Sequence, residues 1–554
     1  MASIALRDLT FAYPPSDPDA GSLSDTENLS KSALSHVSVT IPDGTFVTLY
    51  GENGSGKSTL LRLIKREIAP LGSRSGEILL DGTPTDRLSD RDSACRIGYV
   101  AQQPEEQIVT DRVWHELAFG CENLGMAEDK MRRRVAEIAC MFGMEDWFER
   151  DTASLSGGQK QLLSLAAVMA MDPDVLLLDE PTAQLDPIAA VEFFSVVARF
   201  HREFSLTIVL VTHALEEVLP YTDRLLVLEK GSVLAYDTPS AVLERLRNRE
   251  DMLPGLPVAM RLFHEYPAPC PVTIREGKAY LRTHFANTVR TRPMTADSPL
   301  SRAAEMLSFR DVWFRYRKNA PDVLRGLTFS VRQGEIFCVL GGNGSGKSTM
   351  LSVTSGWYMP YAGTVRVCGK RIRDYGGDSL FRDCLAYLPQ DVTTLFACPT
   401  VESELAEVGA SVPDFLMASA HTHPYDLSGG QKQLLALTKV LATHPRLLLL
   451  DEPTKGLDGT ARERIARTLR GLRDDGLTIV CVTHDVDFAA AIADRCAFFF
   501  RGEITSIDAP RCFFADNRFY TTAVSRITRG YFDNTVTVAD AKALCAQNGY
   551  REGE

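Results

Sequence analysis

Short apolar runs recur along the chain, and each stops at a glycine, an acid or a histidine. The run Phe46–Tyr50 leads into Gly51, the run at 175–178 ends at Asp179, and the run at 208–211 stops just before His213. The second half repeats this order: 337–340 leads into Gly341, 447–450 ends at Asp451, and 479–482 stops before His484. Such continuous, largely apolar runs, joined by stretches long enough for helices, predict strands buried on both faces of a parallel sheet. The expected fold is therefore α/β, built twice. Residues 111–150, between core strands, read as helical, and their counterpart at roughly 401–425 is shorter. Residues 14–32, rich in Ser, Asp and Pro, have no counterpart after Tyr316 and read as a surface loop.

The periodicity is an internal duplication. GENGSGKST at 51–59 returns as GGNGSGKST at 341–349, and LSGGQKQLL at 155–163 returns at 427–435. Lys57 and Lys347 lie 290 residues apart but Asp179 and Asp451 only 272, so the second copy is 18 residues shorter between loop and acidic strand. The spacing from Ser156 to Asp179 equals that from Ser428 to Asp451, which puts the deletion upstream, in the helical stretch. PVTIREGKAYL at 271–281 resembles VTVADAKAL at 536–544, so each half is expected to end in its own appendage. The expected division is 1–250 and 306–515 for the two large domains, 251–305 for a connecting appendage, and 516–554 for a C-terminal one.

Composition narrows the function. A net charge of −12 argues against a nucleic-acid binder. None of the 12 cysteines forms a CxxC pair, so they read as reduced thiols rather than a metal or disulfide framework. No run approaches the length of a membrane span, and the first residues lack the basic start and apolar run of a signal peptide. The expectation is a soluble, intracellular chain.

GxxxxGK[ST] lets backbone N–H groups approach the phosphates of a nucleotide, while the lysine adds charge and the hydroxyl holds a divalent cation. In the first copy Gly51, Asn53, Gly54, Ser55, Gly56, Lys57, Ser58 and Thr59 are the candidates; in the second, Gly341, Asn343, Gly344, Ser345, Gly346, Lys347, Ser348 and Thr349. VLLLDEP and LLLLDEP place two acids at the end of a buried strand. Asp179 and Asp451 suit a magnesium ion, and Glu180 and Glu452 suit a base for the attacking water. Both copies keep the second acid, so both sites are expected to hydrolyse ATP.

These motifs identify the chain as resembling the ATP-binding cassette ATPases over nearly its whole length. The resemblance implies two P-loop domains, each with a RecA-like core, an antiparallel β subdomain and a helical subdomain, using ATP with Mg²⁺. It implies that Tyr13 and Tyr316 stack on adenine, and that Gln102 and Gln390 sense the cation and help to bind it alongside Ser58, Asp179, Ser348 and Asp451. It implies that His213 and His484 sense the γ-phosphate. Asp186 and Asp458 match the loop that crosses to the opposite site, although Gln184 stands where a glycine is common. Ser156, Gly157, Gly158 and Gln159, with Ser428, Gly429, Gly430 and Gln431, form signatures that close on the other half's nucleotide. Site one would pair Lys57 and Glu180 with Ser428, and site two Lys347 and Glu452 with Ser156.

PEEQIVTDRVWHELAFGCENLGM at 104–126 is similar to the ATPases of energy-coupling-factor importers, with Glu106 and Gln107 as the acid–Gln pair. That likeness implies a peripheral subunit on the cytoplasmic face of the membrane. It would drive uptake of a vitamin or transition-metal ion through a transmembrane coupling protein and a substrate-binding membrane protein. Trp114, His115, Glu116 and Phe119 are expected to form the dock. DVTTLF departs from the pattern in the second half. A sugar-type importer ATPase is the nearer alternative. A ribosome-associated tandem cassette protein is the more distant one, since eight prolines between 238 and 305 oppose a long helical arm.

Overall fold

A computed structural model describes residues 2–14, 32–183, 185–267, 269–291 and 304–551. Most of the loop read at 14–32 lies outside the described residues, as do Gln184 and part of the connecting appendage. The chain divides into two compact units, Met1–Arg247 and Asn248–Glu554.

In the first unit six strands form one sheet. Ser232–Asp237 lies at one edge, followed by Arg224–Glu229, Phe46–Tyr50, Thr207–Val211, Val175–Asp179 and Ile97–Val100. All neighbours are parallel except the antiparallel edge pair. The continuous apolar runs are the central strands, and each is wholly buried, including Thr48 and Thr207 within them. A second, antiparallel sheet pairs Ile4–Ala12 with Leu34–Ile41 on one side and Ser73–Leu80 on the other. The second unit repeats both sheets in the same order, with Ile336–Leu340, Thr478–Val482 and Leu447–Asp451 at the centre. One local device also recurs: Asp8 and Asp311 bulge out of their strands at φ 48° and 49°. Gly76 and Gly363 pass so close to those two residues that a Cβ would sit 2.3 and 2.2 Å from their carbonyl oxygens.

The helical insertions differ as the spacing predicts. The first unit has helices Val113–Asn123 and Glu128–Met141; the second keeps only Val401–Glu407, followed by short 3₁₀ turns. The missing helix accounts for most of the deleted length. Each insertion is pinned by one buried carboxylate. Glu116 Oε2 accepts hydrogen bonds from the Val109 and Thr110 amides at 3.1 and 2.8 Å. Glu404 accepts from the Ala397 and Cys398 amides and also meets Lys439 Nζ at 2.5 Å. Lys439 has no equivalent in the first unit, where Ala167 occupies its place on the signature helix. The shorter insertion thus carries an ion pair where the longer one has a second helix.

The segments on either side of the second nucleotide-binding region meet. Helices Val258–Phe263 and Ile274–His284 pack with Ala523–Thr528 and Val538–Asn548. Phe263, Tyr266, Tyr280, Phe285 and Tyr550 form a joined aromatic cluster, with ring centroids 4.9–6.5 Å apart. The two similar sequence segments are equivalent helices, each begun by a capping box, Thr273 with Glu276 and Thr537 with Asp540.

Glu404 is fully buried and Lys439 nearly so, so removing the lysine leaves a desolvated charge. Lys439→Met is expected to destabilise the second unit by about 3 kcal/mol. It should also raise hydrogen exchange at the 397–398 amides; urea unfolding and amide exchange check both.

Candidate functional site

Each phosphate loop joins a central strand to a helix, Lys57–Ile64 or Lys347–Thr354. Gly56 and Gly346 cap these helices at φ 96° and 113° with no side-chain cap, so the first-turn amides stay open to an anion. A side chain at Gly51 cannot be accommodated, because its Cβ would lie 2.3 Å from the Leu228 carbonyl oxygen. Lys57 Nζ donates to the Gly51 and Glu52 carbonyls at 2.8 Å each, and Lys347 Nζ to Gly341 and Gly342 at 2.8 and 3.0 Å. The ammonium groups are therefore buried and centred in their loops. Tyr13 and Tyr316 lie beside these loops, their hydroxyls bonded to Thr59 and Thr349 Oγ1 at 2.9 and 2.8 Å. Each ring rests edge-on against a buried phenylalanine, Phe11 or Phe314, and stays about half exposed, 44% and 53%. That leaves ring surface for a base.

The acidic pairs stand at the ends of Val175–Asp179 and Leu447–Asp451. Glu180 and Glu452 adopt φ 46° and 51°, a left-handed conformation that costs a non-glycine residue about 1 kcal/mol or more. The sheet enforces it, because their amides still donate to the Val211 and Val482 carbonyls at 3.0 and 2.9 Å. Both carboxylates face a histidine: Glu180 lies 2.9 Å from His213 Nε2, and Glu452 2.9 Å from His484 Nδ1. Gln102 Nε2 donates to Glu180 at 3.0 Å. Gln390 is exposed and its side chain makes no hydrogen bond among the described residues. Burial alone would raise the Glu452 carboxyl, but the His484 imidazole and Lys347 outweigh it and hold the group below the ordinary range. Burial likewise works against charge on His484, and Glu452 and Asp485 more than offset it, raising its pKa. The pair is thus stabilised as carboxylate and imidazolium.

The donors fit a magnesium ion, which takes hard oxygen ligands. Ser58 Oγ donates to Asp179 Oδ1 at 2.8 Å, so hydroxyl and carboxylate converge. In the second half Asp451 Oδ1 is buried without a hydrogen-bond partner, an unsatisfied oxygen suited to a cation. Burial raises both aspartates, Asp451 to about 6, with the Ser348 hydroxyl opposing the shift and Glu452 adding to it. The sequence reading misses the residues that aim these acids. Tyr99 and Tyr387 donate to Asp179 and Asp451 Oδ2 at 3.1 and 3.3 Å. The tyrosine is the shared first position of YVAQ and YLPQ, on the strand next to the one that ends in the acids, whereas the sequence reading weighs only the glutamine that ends each motif.

Ser156 and Ser428 begin the helices Gly157–Ala170 and Gly429–Leu441, each closing a capping box with Gln159 or Gln431. The serine oxygens accept from the glutamine amides at 3.3 Å, which leaves their O–H protons free to donate to an anion. Gly157 and Gly158, like Gly429 and Gly430, occupy the first helical turn. Asp186 and Asp458 also cap helices: Asp186 accepts from the Ile188 and Ala189 amides at 3.1 and 3.0 Å, and Asp458 from Ala461 at 2.8 Å. Gln107 turns inward, bonding Ala101 N at 3.0 Å and Tyr99 O at 2.9 Å, so it shapes the segment that carries Gln102. Of the four dock residues, Trp114 is exposed and stacked on His115, Phe119 is half-buried, and Glu116 is buried and pins the insertion.

Above pH 6 Asp451 is charged and desolvated, a cost to the folded state that is relieved as pH falls through 6 toward the ordinary 3.8. Asp451→Asn removes that charge and should stabilise the nucleotide-free protein at pH 7.5 by about 1–3 kcal/mol. It should also abolish the added thermal stability that Mg²⁺ confers on the ATP-bound second half. Thermal melts with and without Mg²⁺ and ATP read both effects.

An ABC transporter family model matches residues 34–183 and 324–455. A Bacillus thuringiensis protein provisionally assigned as an ABC transporter ATP-binding protein is 39% identical over 528 residues, covering 93% of this chain and 95% of its own length. CbiO1 of Clostridium perfringens, part of the ABC transporter complex cbiONQ, is 31% identical over 45% of this chain and 94% of its own, with a TM-score of 0.38. The archaeal ribosome recycling factor aABCE1, solved with the stalk protein aP1, is similar in fold. It covers 86% of this chain and 88% of its own at 19% identity, TM-score 0.54. Among the described residues no helix is long and apolar enough to cross a membrane. With two matched domains and a full-length relative, the chain belongs to the ABC transporter family of ATP-binding proteins, as an ATPase with tandem nucleotide-binding domains.

Proposed function

We propose that this ATPase energises a membrane importer of a micronutrient, a vitamin or transition-metal ion, through two composite ATP sites. The observation that carries the hydrolytic part is the pair of carboxylates, Glu180 and Glu452, each held beside a histidine at 2.9 Å. In each half the carboxylate is the base for the attacking water, the lysine and first-turn amides hold the phosphates, and the aspartate and serine would hold Mg²⁺, which neutralises phosphate charge when bound. The signature of the opposite half supplies the closing donor: Ser428 for the Lys57 site, Ser156 for the Lys347 site. Cap geometry supports this, since each signature serine keeps a free proton at a helix start.

The importer part is supported by the 104–126 segment and its likeness to energy-coupling-factor ATPases. Trp114 is the exposed part of that surface, with the half-buried His115 stacked on it, so these are the residues a transmembrane coupling protein would meet. Glu116 is not, because it is spent on the Val109 and Thr110 amides.

Glu180→Gln should trap ATP in the first site, lowering hydrolysis there by about 10²–10⁴-fold. Adding Ser428→Arg should abolish trapping at the Lys57 site, whereas adding Ser156→Arg should leave it; retained nucleotide after gel filtration, with photo-crosslinking to tell the sites apart, decides. The opposite pattern would exclude the head-to-tail arrangement. Trp114→Ala should weaken co-purification with membrane partners at least about fivefold, about 1 kcal/mol, while ATP binding stays unchanged. Co-purification with ribosomes instead of membrane proteins would overturn the importer reading.

A further inference from the structure

The two halves differ in how the catalytic histidine is backed. In the second half the loop of Asp458 and the loop of His484 are joined by an ion pair, Arg462 Nε to Asp485 Oδ2 at 3.1 Å. Arg462 lies in the first turns of helix Gly459–Asp474, its amide bonded to the Asp458 carbonyl at 3.0 Å. Asp485 caps the next helix by accepting from the Phe488 amide at 2.9 Å, and its own amide donates to Thr483 Oγ1 at 3.0 Å. Next to it, His484 contacts Glu452 twice, backbone amide at 3.2 Å and Nδ1 at 2.9 Å.

The base of this brace is fixed from outside the nucleotide-binding region. Thr460 Oγ1 donates to the Asp251 carbonyl at 3.2 Å. Gly459 abuts the turn Leu253–Gly255 so closely that a Cβ would sit 2.4 Å from Gly255 Cα and N. The appendage therefore seats the helix from which Arg462 projects. The first half has neither end of the ion pair: Ala190 stands four residues after Asp186, and Ala214 follows His213. Pro187, at the position of Gly459, could not make the same close approach. Correspondingly, His213 presents Nε2 to its glutamate, where His484 presents Nδ1.

We propose that Arg462 is a positioning residue for ATP hydrolysis in the second half only, holding Asp485, and through it His484, against Glu452. The proposal rests on the reading of Glu452 as the base of that site. Asp458 caps its helix independently of Arg462, so the loop before the helix keeps its shape when the arginine is lost, and the effect falls on the His484 side.

The test is a single turnover of the full chain with radiolabelled 8-azido-ATP, then photolysis and recovery of the peptides carrying Tyr13 and Tyr316. Arg462→Ala should slow ADP formation at the Tyr316-labelled site about tenfold, leave ATP labelling of both sites and ADP formation at the Tyr13 site within about twofold, and not change the melting temperature. Arg462→Lys, which keeps the charge, should recover most of the rate; Arg462→Gln should not. Equal slowing at both sites, no slowing at the second, lost ATP labelling, or failure of Arg462→Lys to recover would each overturn the proposal. Glu452→Gln separates the two claims. If it does not stop ADP formation at the Tyr316 site, the reading of that site fails; if it does while Arg462→Ala has no effect, only the brace is wrong.

Discussion

The structure turns on a carboxylate that a central strand forces into a left-handed conformation at its very end. Glu180 and Glu452 each complete the sheet ladder with their amides, then turn the chain sharply. That constraint sets a carboxylate beside a histidine while the preceding aspartate stays buried at the strand end. It needs a strand with neighbours on both sides, and Thr207–Val211 and Thr478–Val482, which supply one of them in each half, are accordingly buried throughout. It also needs somewhere for two adjacent acids to sit without mutual repulsion, and the surroundings separate their behaviour. In the second half burial raises Asp451, while His484 and Lys347 keep Glu452 ionised.

Duplication preserved this arrangement and let the periphery diverge. Both units repeat the sheets in the same order, the bulges at Asp8 and Asp311, and the capping boxes of the signature helices. They differ where the sheet does not dictate the outcome. The second insertion lacks a helix and has an ion pair to Glu404; the residue after the histidine, Asp485, pairs with Arg462 in the second half, where the first half has Ala214 and Ala190. Such differences give two sites of the same chemistry unequal support.

Much of this was legible in the sequence, because the decisive signals are local. Continuous apolar runs give the strands, glycine spacing gives the phosphate loops, and the 18-residue shortfall points to the insertion that lost a helix. What was not legible depends on distance along the chain. Glu116 sits among residues that resemble a dock, yet amides six and seven residues before it draw it inward. Tyr99 and Tyr387 reach aspartates 80 and 64 residues away. The appendages, separated by the whole second nucleotide-binding region, form one helical body joined by their apolar faces and by bonds such as Lys542 to Glu265. Gln107, which the sequence identifies only as half of an acid–Gln pair, bonds back to the strand before it.

The central claim is that one chain carries two hydrolytic sites. Rapid acid quench of the full-length protein mixed with excess radiolabelled Mg-ATP counts the phosphate released per chain in the first turnover. The account predicts a burst of about two per chain for the wild type, falling to about one in Glu452→Gln, since one of two equivalent bases is removed. A burst of one in the wild type that Glu452→Gln leaves unchanged would contradict it.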